Sequence, residues 1–239
     1  MRPNLFRAPY QQSVSTYIQS LNEFSDGRIC FTDGVKILAA DPDLVGAARI
    51  IKKVKTTVLQ ALPASNGIWY SDVNARIWFE NDSGEVIHSF KFNAFGGAVF
   101  HLMSDKSGNL WACQDGNPSL ICITSGYTVK QYGIKDGITS RPLSTTIDNK
   151  GAIYAGGMAN NAFLFQFDAA HDRFTNLSNP LNFEGNIDIN VNDMVSGGKA
   201  VLWMGTSFGL IKYEKGIFSR IQSGDMTCLL YTSPSPRDS

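Results

Sequence analysis

A short phrase recurs along this chain of 239 residues, and it constrains the fold more than any other feature of the sequence. In its clearest copies the phrase is a glycine, a variable residue, Ile or Leu, and then a bulky side chain. The five copies end at intervals of roughly forty residues, at Cys30, Trp69, Trp111, Tyr154 and Trp203. Such a period, with several short strands in each copy, is typical of β-propeller blades. The sequence therefore predicts an all-β propeller of four-stranded blades, with about five blades in this chain.

Each copy has the same internal order of apolar and polar stretches, which predicts its strands. An inner strand such as 99–104 is followed by a turn that opens with Asp and closes with Gly, as in 105–108. The carboxylate can accept backbone N–H groups, and glycine tolerates positive φ. The second strand carries the bulky residue, and two further strands complete the blade. Because a four-stranded sheet buries its faces only against neighbours, we expect these bulky side chains to fill the contacts between blades.

The repeats define one propeller domain over residues 1–224. They are expected near 20–60, 61–95, 96–137, 138–182 and 183–224. Residues 1–14 fit no blade, and we expect a strand of a preceding unit or an arm that closes the ring. Residues 44–54 can form a short amphipathic helix, or 49–54 can be an outer strand, which the repeat favours. The visible blades are few for a closed ring, so we expect an open, poorly soluble fragment of a larger one.

The C-terminal residues break the repeat pattern. Residues 228–238 match one translated frame of a common sequencing adapter and contain two prolines. We therefore expect residues 225–239 to be a non-native or disordered tail that contributes nothing to the fold.

The cysteines before that tail show no metal-binding spacing. Cys30, Cys113 and Cys122 form no C-x-x-C motif and have no histidine nearby, so no metal and no cofactor are expected. A hairpin centred between Asn117 and Pro118 would place Cys113 directly opposite Cys122, where a disulfide could form in an oxidising compartment. Two buried free thiols are the alternative, which we favour.

Charge and motifs argue against several classes of function. Lys plus Arg and Asp plus Glu are 21 each, so the net charge is zero and no nucleic-acid partner is expected. No stretch approaches the roughly 20 apolar residues of a membrane helix, and no signal peptide follows residue 1. Nucleophile elbows, phosphate loops and zinc-protease motifs are missing, so we expect no enzymatic role. The alternative is a metal or lyase site that the propeller axis assembles from distant residues such as His88, His101 and His171.

The fifth copy resembles the two-component regulator propeller repeat. Residues 202–213 read Leu-Trp-Met-Gly-Thr-Ser-Phe-Gly-Leu-Ile-Lys-Tyr, close to the family phrase of Leu-Trp-Ile-Gly-Thr, two variable residues, Gly-Leu and an aromatic. Residues 107–112, 135–140 and 148–157 fit the same consensus, whereas the first two copies keep only its hydrophobic outline. The resemblance implies a periplasmic or extracytoplasmic sensor that relays ligand binding to a downstream kinase. Membrane attachment would then lie in segments beyond this chain, and the full-length protein could be a dimer.

A ligand site is expected on one face of the propeller, where the loops leading into inner strands and those joining second to third strands open together. Arg, Asn and aromatic side chains hydrogen-bond to sugars and stack on them, although Asn also simply tolerates turn geometry. The function that fits best is sensing of a small soluble ligand or an oligosaccharide. A free-standing scaffold propeller for protein–protein interaction and a lyase-type or hydrolase-type enzyme are the alternatives. The predicted ligand-binding residues are Arg141, Asn160, Asn161, Asn192 and Phe208.

Overall fold

The computed structural model describes residues 18–43, 48–92, 97–116, 119–159, 161–178, 188–197 and 201–221. Within these ranges the chain forms twenty strands in five four-stranded antiparallel sheets and one short 3₁₀ turn at Ile134–Asp136. In every sheet the strand order follows the chain, so each sheet is one up-and-down blade. The predicted propeller of about five four-stranded blades is confirmed. The predicted arm at 1–14, the tail at 225–239 and Asn160 lie outside the described residues.

The strands are numbered β1 to β20 along the chain, four to a blade. Blade 1 holds β1 (Ser20–Glu23), β2 (Ile29–Thr32), β3 (Lys36–Ala40) and β4 (Arg49–Lys53). Blade 2 holds β5 (Val58–Ala64), β6 (Gly67–Asp72), β7 (Arg76–Asn81) and β8 (Val86–Lys91). Blade 3 holds β9 (Val99–Ser104), β10 (Leu110–Gln114), β11 (Leu120–Ile123) and β12 (Val129–Tyr132). Blade 4 holds β13 (Pro142–Ile147), β14 (Ile153–Gly157), β15 (Leu164–Asp168) and β16 (Arg173–Asn176), and blade 5 holds β17 (Val191–Gly197), β18 (Val201–Thr206), β19 (Gly209–Glu214) and β20 (Ile217–Ile221).

Two local predictions hold in these elements. The segment after Ala48 is the outer strand β4 rather than a helix, because it pairs with β3 along its length. The turn aspartates accept backbone N–H groups as expected. Asp105 accepts from the N–H groups of Ser107 and Asn109 at 2.8 and 2.9 Å, and Asp148 accepts likewise from residues 150 and 152.

The hydrophobic core is divided into four clusters, and each lies between two consecutive blades. The cluster around Trp111 combines residues of β10 to β12 with Phe165 and Phe174 of blade 4. Trp69 packs with residues of blade 3, and Tyr154 packs with residues of blade 5. The expected role as inter-blade contacts is therefore confirmed for these three side chains, whereas Trp203 is half-buried and belongs to none of the four clusters of described residues. Burial between sheets is what each blade lacks by itself, so every blade depends on its neighbours.

The two cysteines of blade 3 are not opposite each other. Cys113 pairs with Leu120 and Cys122 pairs with Trp111, so the hairpin is centred one residue earlier than predicted. Both thiols are free and buried. Burial raises the pKa of Cys122 to about 12 and the pKa of Cys113 further still. The directly opposed arrangement was a wrong prediction. Moving the centre of the hairpin by one residue shifts the pairing by two positions, so the two cysteines lie diagonally on the same face of the sheet rather than opposite each other.

Candidate functional site

The strand register places two sets of loops at the same end of the blades. The first residue of each inner strand pairs with the last residue of the second strand, as Val58 does with Asp72 and Pro142 with Gly157. Loops that lead into β5, β9, β13 and β17 therefore lie beside the turns that follow β6, β10, β14 and β18. We name this end the loop face. Its described loop residues are 54–57, 73–75, 97–98, 115–116, 119, 133–141, 158–159, 161–163, 188–190 and 207–208.

Arg141 lies on the loop face, where it is tied to blade 3. It directly precedes β13, and its guanidinium forms an ion pair with Asp115 in the loop after β10. The Nε atom of Arg141 is buried and has no hydrogen-bond partner among the described residues. The positive charge of Arg141 is thus largely neutralised by Asp115, while its buried Nε donor has no hydrogen-bond partner among the described residues.

The other described members of the predicted set lie in blades 4 and 5. Asn161 is exposed, and its backbone carbonyl oxygen accepts a hydrogen bond from Asn176 Nδ2 at 2.7 Å. Asn192 is exposed and is the extra residue of a β-bulge in β17, not a loop residue. Phe208 is half-buried in the turn after β18 and packs against the core between blades 4 and 5. An isolated bridge between Met158 and Asn190 joins the loops of these two blades.

A line of polar side chains lies on the inner strands. The sequence-based prediction missed it apart from His101, which was named only for the alternative metal or lyase site. Each of these side chains reaches across to the backbone of the next blade, which satisfies a buried group at the junction. Ser20 Oγ accepts from the Ala61 N–H at 3.2 Å, and Gln60 Oε1 accepts from the Leu102 N–H. His101 Nδ1 accepts from the Thr145 N–H at 3.1 Å. For Gln60 and His101 the sequence signal was a polar residue flanked by apolar ones in an inner strand, whereas β1 (Ser-Leu-Asn-Glu) carries no such signal for Ser20.

His101 extends this line beyond the adjacent blade. Its Nε2 lies 3.3 Å from Asp193 Oδ1, so one side chain of blade 3 contacts blades 4 and 5. Because Nδ1 accepts the Thr145 N–H, the neutral ring carries its proton on Nε2 and donates it to the carboxylate. The hydrogen bond from His101 holds the pKa of Asp193 below its usual value. The His101 side chain is 23% exposed and the Asp193 side chain 81% exposed, so solvent and ligands can reach the pair.

His101, Thr145 and Asp193 thus form a polar cluster near the middle of the inner strands β9, β13 and β17. We name these three residues the axial cluster. It offers a carboxylate acceptor and an imidazole within one small area, while the buried Thr145 hydroxyl is engaged with His101. Among the described residues, no group of three His, Cys, Asp or Glu side chains is arranged to hold a metal ion. The arrangement is suited to binding hydroxyl-bearing ligands or to exchanging a proton.

Comparison with known proteins shows the fold more clearly than the family. No protein-family model and no curated protein sequence matches the chain. A catalytically inactive histidine-to-alanine variant of virginiamycin B lyase from Staphylococcus aureus, solved with quinupristin, superposes with a TM-score of 0.69 at 17% identity, covering 90% of this chain and 72% of the lyase. The extracellular domain of the putative hybrid two-component system BT4673 from B. thetaiotaomicron has a TM-score of 0.68 at 14% identity, covering 88% of this chain and 28% of its own. XC5397 from Xanthomonas campestris, a gluconolactonase, has a TM-score of 0.61 at 11% identity, covering 85% and 74%.

These similarities correct one prediction. The expectation of no enzymatic role is wrong, because the structural neighbours include a lyase and a gluconolactonase alongside the sensor domains. The motifs whose absence supported that expectation belong to other folds, whereas a propeller assembles its sites from loops of separate blades. At these identities the likeness shows the fold alone. No helix in the described ranges is long and apolar enough to span a bilayer.

Proposed function

We propose that this chain is a ligand-sensing propeller that binds a small soluble ligand, such as an oligosaccharide, at the loop face. The observation that carries the proposal is the axial cluster, in which His101 joins three blades and leaves the Asp193 carboxylate open to solvent. A ligand that hydrogen-bonds there contacts several blades at once, so its binding can alter how they pack. Ligand binding would thereby change the packing of the blades, which other parts of a protein can detect.

The surrounding residues support a ligand rich in hydroxyl groups. Asn161 and Asn192 are exposed on the same end of the blades, and Phe208 contributes a partly covered aromatic ring. A carboxylate accepts hydrogen bonds from sugar hydroxyls, and a side-chain amide both donates to them and accepts from them. Arg141 is proposed to contact the ligand through the exposed part of its side chain, which is 38% accessible beside Asp115.

We also propose that the sensor serves a two-component regulatory protein outside the cytoplasm. The repeat resemblance at 202–213 and the extracellular domains among the structural neighbours support this assignment. Sequencing the genomic locus beyond the codon for residue 224 tests this assignment directly. A membrane helix followed by a kinase core is expected, and further blades followed by a stop codon would overturn the signalling assignment.

Ligand binding at the loop face is tested by calorimetric titration with neutral tetrasaccharides from xylan, arabinan and β-glucan. Asp193→Asn replaces the carboxylate with an amide of nearly the same shape. It is expected to weaken the binding of whichever tetrasaccharide has the highest affinity by about 10-fold or more. Asp82→Asn is the matched control, because Asp82 is exposed in the turn after β7 at the opposite end of blade 2. Equal losses in both variants, or full affinity in Asp193→Asn, would count against the loop face.

A lyase-type enzyme is the second candidate, and the His101–Asp193 hydrogen bond is the observation that favours it. To act as a base, His101 would have to release the Thr145 N–H from Nδ1, since Nε2 already carries the proton. Turnover of streptogramin B compounds and of lactones, followed by chromatography, tests this candidate. Activity that disappears in His101→Ala and persists in His171→Ala would establish it over pure ligand sensing.

A further inference from the structure

An open groove of about 860 Å³ lies on the loop face between blades 1 and 2, apart from the axial cluster, with which it shares no residue. One wall is formed by the end of β4 and the segment after it. The other wall is formed by the start of β7, the turn before it and the end of β8. We name it the basic groove because five cationic side chains line it. They are Lys52, Lys53, Lys55, Arg76 and Lys91.

The one carboxylate in the groove lining is already engaged. Asp72 is fully buried, and it accepts hydrogen bonds from the backbone N–H groups of Asn74 and Arg76 at 2.8 and 3.2 Å. Its second oxygen accepts from Trp78 Nε1 and from the Thr56 hydroxyl, both at 3.2 Å. Asp72 therefore fixes the turn after β6 and the position of Trp78, and it pairs with none of the surrounding lysines.

Most of the positive charge in the groove has no counterpart within the protein. Lys52 pairs with Glu80, and its burial lowers its pKa. Lys53, Lys55, Arg76 and Lys91 have no carboxylate within ion-pair distance among the described residues. The chain as a whole has a net charge of zero, so four such cations in one groove are a local excess. A cleft focuses the field of the charges that line it and raises the local concentration of anions.

The aromatic rings of Tyr70 and Trp78 form an apolar surface in the groove, and cationic side chains lie on both sides of it. The rings of Tyr70 and Trp78 stack with centroids 6.1 Å apart, and the Arg76 guanidinium lies 5.4 Å from the centre of the Trp78 ring. An apolar surface keeps water from one side of a bound anion, which strengthens its attraction to the lysines. A ligand with several separated anionic groups can reach blade 1 through Lys53 and Lys55 and blade 2 through Arg76 and Lys91.

We propose that the basic groove is a second ligand site, which binds an oligosaccharide bearing carboxylate or sulfate groups. The charge of this ligand is inferred from the groove alone, whereas its being a sugar rests on the proposed function. The volume lies within the range of small-ligand sites. The groove shares no lining residue with the axial cluster, so the two sites are separable by mutation.

Calorimetric titration of the whole chain tests the proposal. The probes are tetragalacturonate, a sulfated tetrasaccharide and neutral maltotetraose, with an eight-nucleotide thymidine strand as a generic polyanion. We expect at least one anionic sugar to bind about 10-fold or more tightly than the neutral sugar and than the DNA. Raising the salt from about 50 to about 200 mM is expected to weaken that binding several-fold. The two anionic arms distinguish uronic acids from sulfated sugars.

Two double variants locate the site. Lys53→Gln combined with Lys55→Gln is expected to lower the affinity for the anionic sugar about 10-fold. Lys135→Gln with Lys150→Gln removes the same charge at exposed positions in blades 3 and 4 and is expected to leave binding unchanged. Equal loss in both doubles, equal binding of the neutral sugar or of DNA, or no binding at all would overturn the proposal. Asp193→Asn tests the axial cluster separately, so either site can fail without the other.

Discussion

Single side chains carry much of the contact between blades, and Trp111 is the clearest case. Only 2% of its surface is exposed, and it packs against Tyr132 of its own blade and Phe167 and Phe174 of the next. Its indole Nε1 donates to Asp105 Oδ2 at 2.9 Å, so the turn that precedes the second strand also fixes the ring. A residue that was recognised only by its spacing thus joins a turn, a strand and a neighbouring blade.

Replacing Trp111 with Ala is expected to lower the free energy of unfolding by about 3 to 5 kcal/mol, because the cavity would lie between two blades. Trp111→Phe keeps most of the apolar contact and loses the hydrogen bond to Asp105, so a cost of about 1 to 2 kcal/mol is expected. Urea denaturation followed by circular dichroism measures both. Trp203 is only half-buried, and Trp203→Ala should cost less than Trp111→Ala. A larger cost at Trp203 would contradict the inter-blade role.

The His101–Asp193 hydrogen bond predicts how stability depends on pH. Because the folded pKa of Asp193 is lowered, the pair stabilises the protein above the ordinary aspartate pKa of about 4 and loses that effect as the pH falls through the folded value. Denaturation of the protein and of Asp193→Asn should therefore differ in free energy at pH 6, with the protein the more stable. The difference should shrink towards pH 3, and a difference that stays constant would mean that Asp193 titrates normally.

At the scale of elements, the inner strands combine pairing with contact to the next blade. Bulges in β5, β13 and β17 each insert one extra residue near the loop face, which changes the direction of the side chains that follow. The polar residues after the bulges then reach the adjacent blade, as Ser144 Oγ does by donating to the Val191 carbonyl at 2.9 Å. The bulges therefore position the axial cluster.

The close approach of blade 4 to its surroundings depends on two glycines in β14. A Cβ atom on Gly157 would lie 2.6 Å from the Ala162 carbonyl oxygen, and one on Gly156 would lie 2.6 Å from a methyl group of the buried Val191. Gly157→Ala is expected to destabilise the protein by about 2 kcal/mol or more, because a Cβ atom there would clash with the backbone of the loop that leads into β15. Thermal denaturation measures this, with Gly126→Ala as the control, since a Cβ there meets nothing closer than 3.9 Å. Equal stability of Gly157→Ala and the original protein would refute the close packing.

The limits of prediction follow from the distance between interacting residues. Strand order and the aromatic contacts repeat along the chain, so Trp69, Trp111 and Tyr154 could be placed from spacing alone. The hairpin between Cys113 and Cys122 was misplaced by one residue, because several of its turn residues could have formed the centre, among them Gly116, which adopts positive φ. The contact between His101 and Asp193 joins residues 92 apart, and it depends on the bulges and on the angle between blades, which no local pattern specifies.

The described part of the molecule is a series of blades in which each sheet packs against the next, so blades 1 and 5 each share a core cluster with a single described neighbour. The side chains of Leu21 in blade 1 and Ile217 in blade 5 are among the most exposed apolar groups of the described residues, at 69% and 68%. Terminal repeats with a polar outer face keep repeat proteins soluble, and exposed apolar side chains there promote association.

We therefore expect concentration-dependent self-association of this chain in analytical ultracentrifugation. Leu21→Gln combined with Ile217→Gln should increase the monomer fraction without lowering the melting temperature, because neither side chain contributes much buried area. Val129→Gln in blade 3 is the control, since Val129 is an exposed apolar residue of a central blade. If the control raises the monomer fraction as much, general surface hydrophobicity rather than the terminal blades causes the association. If association is confined to the terminal blades, ligand titrations must be run at concentrations where the chain is monomeric. Binding at the axial cluster and in the basic groove is then measured on single propellers.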